Sequence, residues 1–352
     1  MRTADEIVAS VAAAVGLAEG AEGVRDVVRT VGRLEPVAVR RVSRSTELPI
    51  PIVAAVCNEL RKRGVISRRR PVQLSPEGRE LFGAITARLS FEAACPTCSQ
   101  HELVVPEALA DAARELERRI ADVPRARLEL DQAHCTVETK LRRVLLMHEA
   151  GALEGRALVL LGDDDLVSLA LSVVAAHGGP GARIRRLVVV DVDAALLRFL
   201  RQTLRNAPFD VEYVLHDLRE PLPGEVRGDT IALDPPYTRP GAELFLSRAA
   251  EAARESERAD VFFSFGQKRP EELLHVQRAI AEMGFVVRRL IRGFNEYVGA
   301  GTLAGSSHLY HLVSTPALRP LAAGSHTGPL YTAEVRLNGG RSGAPRAARR
   351  GR

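Results

Sequence analysis

Residues 158–170 read LVLLGDDDLVSLA. Four apolar residues run unbroken into Gly162, three aspartates follow, and the apolar pattern resumes at Leu166. A short continuous apolar strand is the mark of a sheet buried on both faces. The glycine and the loop after it stand at the carboxyl end of that strand, where open α/β sheets bind their ligands. The spacing predicts a strand over 157–161 and a helix over 166–176.

The same alternation continues outward. Strands are predicted at 187–190, 211–215, 230–233 and 261–265, and helices at 194–204, 243–255 and 270–283. Two further strands, 286–291 and 309–314, have no helix between them. Seven strands in this order suit an α/β, Rossmann-like sheet of the class I methyltransferase type over residues 151–337. Upstream, 1–90 reads as short helices followed by a small ribbon. Ser45-Thr46-Glu47 is expected to cap a helix over 49–63, in which Val53, Val56, Cys57 and Leu60 face the core. Arg68-Arg69-Arg70 lies between two short strands at 65–67 and 72–74, and Ser75-Pro76-Glu77-Gly78 opens another helix. Helix, basic ribbon and helix together resemble a winged-helix domain. Residues 91–150 form a connector, with helices expected at 106–121 and 136–150. The tail over 338–352 is Gly/Arg-rich and is expected to be disordered.

Composition removes several classes. No apolar run approaches the roughly 20 residues of a membrane helix, and Asp5 and Glu6 sit where a secretory signal would be basic. Four cysteines in 352 residues do not make a disulfide scaffold, so a cytoplasmic location is expected. The net charge of +5 invites a nucleic-acid partner, but it is unevenly placed. Residues 1–90 hold fifteen basic and ten acidic residues, and 341–352 hold five arginines and no acid, which leaves the middle of the chain at −5. An acidic middle favours a cationic ligand and makes nucleic acid the weaker expectation.

The loops after the strands carry the candidate site. Gly162-Asp163-Asp164-Asp165 replaces a glycine-rich turn with three acids, which repels a phosphate and suits an amine or a metal ion. The alternative is a helix N-terminus, although a cap needs only one aspartate. Asp191, after the second strand, can accept bonds from both hydroxyls of an adenosine ribose. Asp217, after the third, is placed to meet an adenine amino group. After the fourth come Asp234-Pro235-Pro236-Tyr237, where two prolines stiffen a loop that presents a carboxylate and carbonyls to an amine. Beyond the sixth, Phe294-Asn295-Glu296-Tyr297 offers an acid and an aromatic ring for an ammonium. Cys95 and Cys98, with His101 three residues on and His134-Cys135 downstream, have metal-ligand spacing. A structural zinc there competes with a simple turn holding two thiols.

These runs, with HDLREPLP at 216–223, GFNEYV at 293–298 and DQAHCTVETKLRRVLLMHEAGAL at 131–153, resemble the branched-chain polyamine synthases. The resemblance covers nearly the whole chain except the Arg-rich tail, and its family is found in thermophiles. It implies aminopropyl transfer from decarboxylated S-adenosylmethionine to the secondary amine of spermidine. It points to Asp164 as proton acceptor and amine anchor, flanked by Asp163 and Asp165, with Gly162, Asp165, Asp191 and Asp217 on the donor. Asp234, Pro235, Tyr237, Glu296 and Tyr297 would hold the polyamine. A homodimer is expected. An S-adenosylmethionine-dependent N-methyltransferase acting on nucleic acid is the alternative, and the missing glycine-rich loop counts against it.

Overall fold

The protein was studied as a computed structural model, which describes residues 3–91, 103–178, 182–253, 258–298 and 305–339. Five helices come first: α1 (Ala4–Val15), α2 (Gly20–Leu34), α3 (Val39–Thr46), α4 (Ile50–Lys62) and α5 (Pro76–Thr86). They enclose their own core, which includes Val28, Val53, Val56, Cys57 and Leu60. Thr3 and Glu6 form a reciprocal capping box at α1, and Ser75 caps α5 by accepting the Gly78 N–H. The cap expected at 45–47 is not one. Thr46 ends α3 and donates its hydroxyl to the Val42 carbonyl at 2.9 Å, while α4 starts after Pro49 with no side-chain cap. The ribbon is reduced to single bridges, Ile66 with Leu74 and Val37 with Val72.

The connector supplies α6 (Ala110–Arg119) and α7 (Val137–Glu149). Then follow β1 (Ala157–Leu161), α8 (Val167–His177), β2 (Arg186–Asp191), α9 (Ala194–Thr203), β3 (Asp210–Leu215), β4 (Thr230–Leu233), α10 (Arg239–Ala252), β5 (Asp260–Gly266), α11 (Pro270–Glu282), β6 (Phe285–Glu296), β7 (Ser306–Ser314) and α12 (Thr332–Gly339). The sheet order is β3-β2-β1-β4-β5-β7-β6, with β7 antiparallel to both of its neighbours. Residues of α6–α9 pack on one face and of α10 and α11 on the other, so β1 is buried along its whole length. The chain reverses its strand order between β1 and β4, which opens a crevice at their carboxyl ends.

Two of the boundaries that differ from the sequence reading have a clear local reason. α10 begins at Arg239 rather than near 243, because Thr238 caps it, accepting from Gly241 N at 3.0 Å and donating to the Leu330 carbonyl at 2.7 Å. β6 runs on through the polar residues to Glu296 past a shift in register, so the Gly-Phe-Asn-Glu run lies in the strand and not beyond it. Among the described residues no single helix is long and apolar enough to cross a membrane.

The helical N-terminal region is bound to the sheet domain by a buried charge network. α2 presents Glu22, Asp26, Arg29 and Arg33, which meet Glu154, Arg156, Arg258 and Asp260. Arg156 pairs with Glu22 and lies 3.6 Å from Asp260, Arg258 pairs with Asp26, and Arg33 pairs with Glu154.

Candidate active site

The loop after β1 turns on Gly162. Its φ of 78° lies in the left-handed region where side chains are disfavoured, and its N–H donates to the Val190 carbonyl at 2.8 Å. The three following aspartates then diverge. Asp163 turns to the start of α8, accepting from Val167 N at 2.7 Å and from the Ser168 hydroxyl. Its own N–H donates to Asp191 Oδ2 at 3.1 Å. Burial pushes its carboxyl up to about 7, although these bonds pull the other way. Asp163 therefore holds the loop on the helix and is not among the residues that line the crevice.

Asp165 is also turned away from the crevice. One oxygen accepts the Cys135 N–H at 2.8 Å and the other lies 2.7 Å from the Arg143 guanidinium. Burial alone would raise this carboxyl, but Arg143, a hydrogen bond with Asp234, the Lys140 ammonium and the Cys135 bond together outweigh it and hold the group well below the usual range. An ion pair with Arg143 occupies it, and it is not among the residues that line the crevice. Asp164 alone of the three lines the crevice. Its Oδ2 accepts the Ala133 N–H at 3.1 Å, and its carbonyl receives the His134 ring at 2.6 Å. Burial, then the charges of Asp165, Asp234 and Asp191, push its carboxyl well above the ordinary value.

Asp234 comes from the end of β4. Its Oδ2 accepts from Arg143 at 2.8 Å and from the Tyr297 hydroxyl at 2.7 Å. Burial raises it to about 7, with Asp165 adding to the rise and Arg143 opposing it. Tyr297 in turn meets the Tyr237 hydroxyl and Ser307, and the Tyr237 ring packs edge-on against Phe265 at 5.6 Å. Both tyrosines support Asp234 from behind. The crevice wall is Pro236 rather than Pro235, and the Glu296 side chain is exposed and points elsewhere. The Glu296 backbone instead anchors α7, accepting from Thr136 N at 2.8 Å and donating to the Thr139 hydroxyl at 3.1 Å.

The crevice is partly open, a space of ≈ 500 Å³ with its solvent-filled mouth included. Asp191 and Asp217 line its far end, with Val190 and Leu218 supplying apolar wall. Both Asp191 oxygens already accept backbone N–H groups, from Asp193 and Asp163, which fixes the carboxylate in place. Burial raises its carboxyl above the ordinary value. Across the mouth run Leu330 and Tyr331, held by Glu334, which accepts both of their N–H groups and pairs with Arg219.

Several of these residues escaped the sequence reading. Arg143 is the chief one; its only signal was an arginine on the apolar face of α7. Asn295, a neutral amide, gives no sequence signal of its own. Leu330 and Tyr331 had no signal, because they lie in a segment of 17 residues between β7 and α12 that has no regular structure. Cys95 and Cys98 fall outside the described residues. Among the described residues no cluster of His, Cys, Asp and Glu could hold a metal ion. Cys135 is buried against the Asp165 carbonyl and Lys140, and Cys57 is core, its thiol pushed up to about 11 by burial.

A sheet of this order, with acids after β1, β2 and β4 converging on one crevice, is that of the class I methyltransferase-like transferases. Within that class, residues 111–314 match the family model for the branched-chain polyamine synthase A C-terminal domain. The chain is 32% identical over 272 residues to the N(4)-bis(aminopropyl)spermidine synthase of Thermococcus kodakarensis, covering 75% of this chain and 74% of that one. It is 31% identical over 283 residues to the enzyme of that name from Thermus thermophilus, with 79% and 78% covered. The solved structure of the Thermus thermophilus branched-chain polyamine synthase, in complex with N4-aminopropylspermidine and 5'-methylthioadenosine, matches 94% of this chain and 98% of its own. Its TM-score is 0.58 at 26% identity. The chain belongs to the branched-chain polyamine synthase family.

Proposed function

We propose that this enzyme moves an aminopropyl group from decarboxylated S-adenosylmethionine to the secondary amine of spermidine. The supporting observation is the charge balance of the crevice. Asp164, Asp191, Asp217 and Asp234 line it, and among the described residues none of the others that line it is an arginine or a lysine. Loss of its carboxylate leaves the donor with a sulfonium and an ammonium, and spermidine is a polycation. Both substrates suit such a wall, whereas a donor that kept its carboxylate would be repelled.

The chemistry follows from the positions. The nucleoside end of the donor lies toward Asp191 and Asp217, and the acceptor amine lies between Asp164 and Asp234. Asp164 takes the proton from the acceptor ammonium, which frees the nitrogen lone pair. That pair attacks the aminopropyl carbon attached to sulfur, the C–S bond breaks, and sulfur keeps the bonding electrons as the thioether of methylthioadenosine. The product nitrogen is again cationic. A second round needs one more deprotonation and yields the quaternary N(4)-bis(aminopropyl)spermidine. General-base assistance of this kind contributes about 10²- to 10⁴-fold.

Incubation with spermidine and the decarboxylated donor, followed by mass analysis, tests the reading. The expected result is a mono- and then a bis-aminopropyl adduct with stoichiometric methylthioadenosine. Absence of any adduct, with methylation of DNA or RNA from ordinary S-adenosylmethionine, would replace it with the methyltransferase reading.

A further inference from the structure

The three consecutive aspartates occupy three environments, and Arg143 is what separates two of them. Its side chain is buried, with the residue only 7% exposed, on an α7 face that is otherwise core. The guanidinium spends Nη1 on Asp165 Oδ2 at 2.7 Å, Nη2 on Asp234 Oδ2 at 2.8 Å and Nε on Asn295 Oδ1 at 2.8 Å. Asn295 is itself fixed, since its amide donates to the hydroxyls of Ser264 and Ser307. Arg143 Nη2 also reaches the Tyr297 hydroxyl at 3.4 Å, and a planar fork held by these four groups cannot swing to a further one. Its bonds reach Asp165 and Asp234 and do not include Asp164.

We propose that Arg143 is the positioning residue that sorts this carboxylate cluster: it neutralises Asp165, pins one oxygen of Asp234, and leaves Asp164 as the uncompensated acid that takes the amine's proton. The inference rests on the aminopropyl-transfer reading above. The other groups facing the cluster do not replace the guanidinium. Lys140 donates to the Cys135 carbonyl, Cys135 is a buried thiol, and Tyr237 and Tyr297 are held neutral by burial. Asp191, from the end of β2, adds only negative charge. The directions of the carboxyl shifts agree, with Asp165 held low and Asp164 raised.

Three variants test this: Arg143→Gln, Arg143→Lys, and Arg143→Gln combined with Asp165→Asn. The single Gln variant should lose about 100-fold in kcat, with KM changed less than about fivefold. The acidic limb of its kcat–pH profile should move to higher pH, because Asp165 and Asp234 lose their cation and keep their protons longer. The Lys variant, which keeps the charge but cannot reach both carboxylates, should recover only part of the kcat. The double variant removes the stranded charge, so it should regain the melting temperature without regaining the kcat or the pH limb. If the double variant recovers both of those, Arg143 serves folding alone and the proposal is wrong. Should the wild-type enzyme transfer no aminopropyl group, the reading of the reaction fails. Arg143 is then still tested by spermidine calorimetry against pH, in which the Gln variants should show the same displaced limb and an unshifted limb would overturn the proposal.

Discussion

Two buried clusters of charge, one between the N-terminal helices and the sheet and one in the crevice, are built to opposite balances. At the interface four acids, Glu22, Asp26, Glu154 and Asp260, face four arginines, Arg29, Arg33, Arg156 and Arg258. All three of the interface acids with a resolved shift lie below the ordinary range: burial would raise each, and it is overcome by the arginines at Asp26, by the His148 hydrogen bond together with Arg33 at Glu154, and by the His311 hydrogen bond together with Arg156 and Arg258 at Asp260. In the crevice the acids outnumber the cations, and Asp164, Asp191 and Asp234 are raised instead. A balanced cluster is complete within the chain and holds two regions together. An unbalanced one is completed from outside, by a ligand that brings positive charge.

The largest expected effect tests the crevice. Asp164→Asn should lower turnover by about 10³-fold, measured as product formed per minute. Its melting temperature should stay level or rise, since a neutral amide replaces a buried carboxyl whose ionisation the neighbouring acids oppose. Activity within tenfold of the wild type would show that another group takes the proton. The next effect tests the interface. Arg156→Met takes one buried cation from Glu22 and Asp260, leaving Glu22 to Arg25 and Arg29 and Asp260 to His311, and should cost about 1.5–3 kcal/mol in denaturant unfolding, while the turnover of the folded fraction stays near the wild-type value. A loss under about 1 kcal/mol would show that the network contributes little to holding the regions together.

Acid titration should separate the two clusters by sign. Glu154 is depressed to about 2, so its contribution is present above the usual carboxylate range and is lost as pH falls toward 2. Asp234 is raised to about 7, so its contribution is greatest below its ordinary value of 3.8 and is lost as pH rises toward 7. Spermidine keeps its charge across this span and restores that loss when bound. Its effect on the melting temperature should therefore be larger at pH 8 than at pH 6, and equal shifts would count against an unbalanced crevice. The smallest effect is at Glu296, where Glu296→Gln should change kcat/KM less than about threefold; a larger loss would return this exposed acid to the polyamine site.

The strands were legible in the sequence because burial on both faces leaves only apolar residues, as in β1 and β2. β6 was read short because its far end is polar, and Asn295 is tolerated there only through bonds to Arg143, Ser264 and Ser307. The crevice acids Asp164, Asp191, Asp217 and Asp234 were also legible, since each follows a strand directly or by a short turn. The division of labour among Asp163, Asp164 and Asp165 was not. It depends on Ser168, Ala133 and Arg143, partners that adjacency along the chain does not reveal. The roof of the crevice was hidden for a similar reason, because Leu330 is placed by a hydroxyl 92 residues earlier in the chain.

The most direct test of the unbalanced crevice is the proton count on binding. Spermidine should be titrated calorimetrically into the enzyme at pH 7, in buffers of different ionisation enthalpy. Arrival of the polycation ionises carboxylates that the empty crevice keeps protonated, so binding should release protons, and Asp164→Asn should release fewer. Binding with no proton release would contradict the account, since it would mean that the crevice carboxylates are already ionised and compensated before the polyamine arrives.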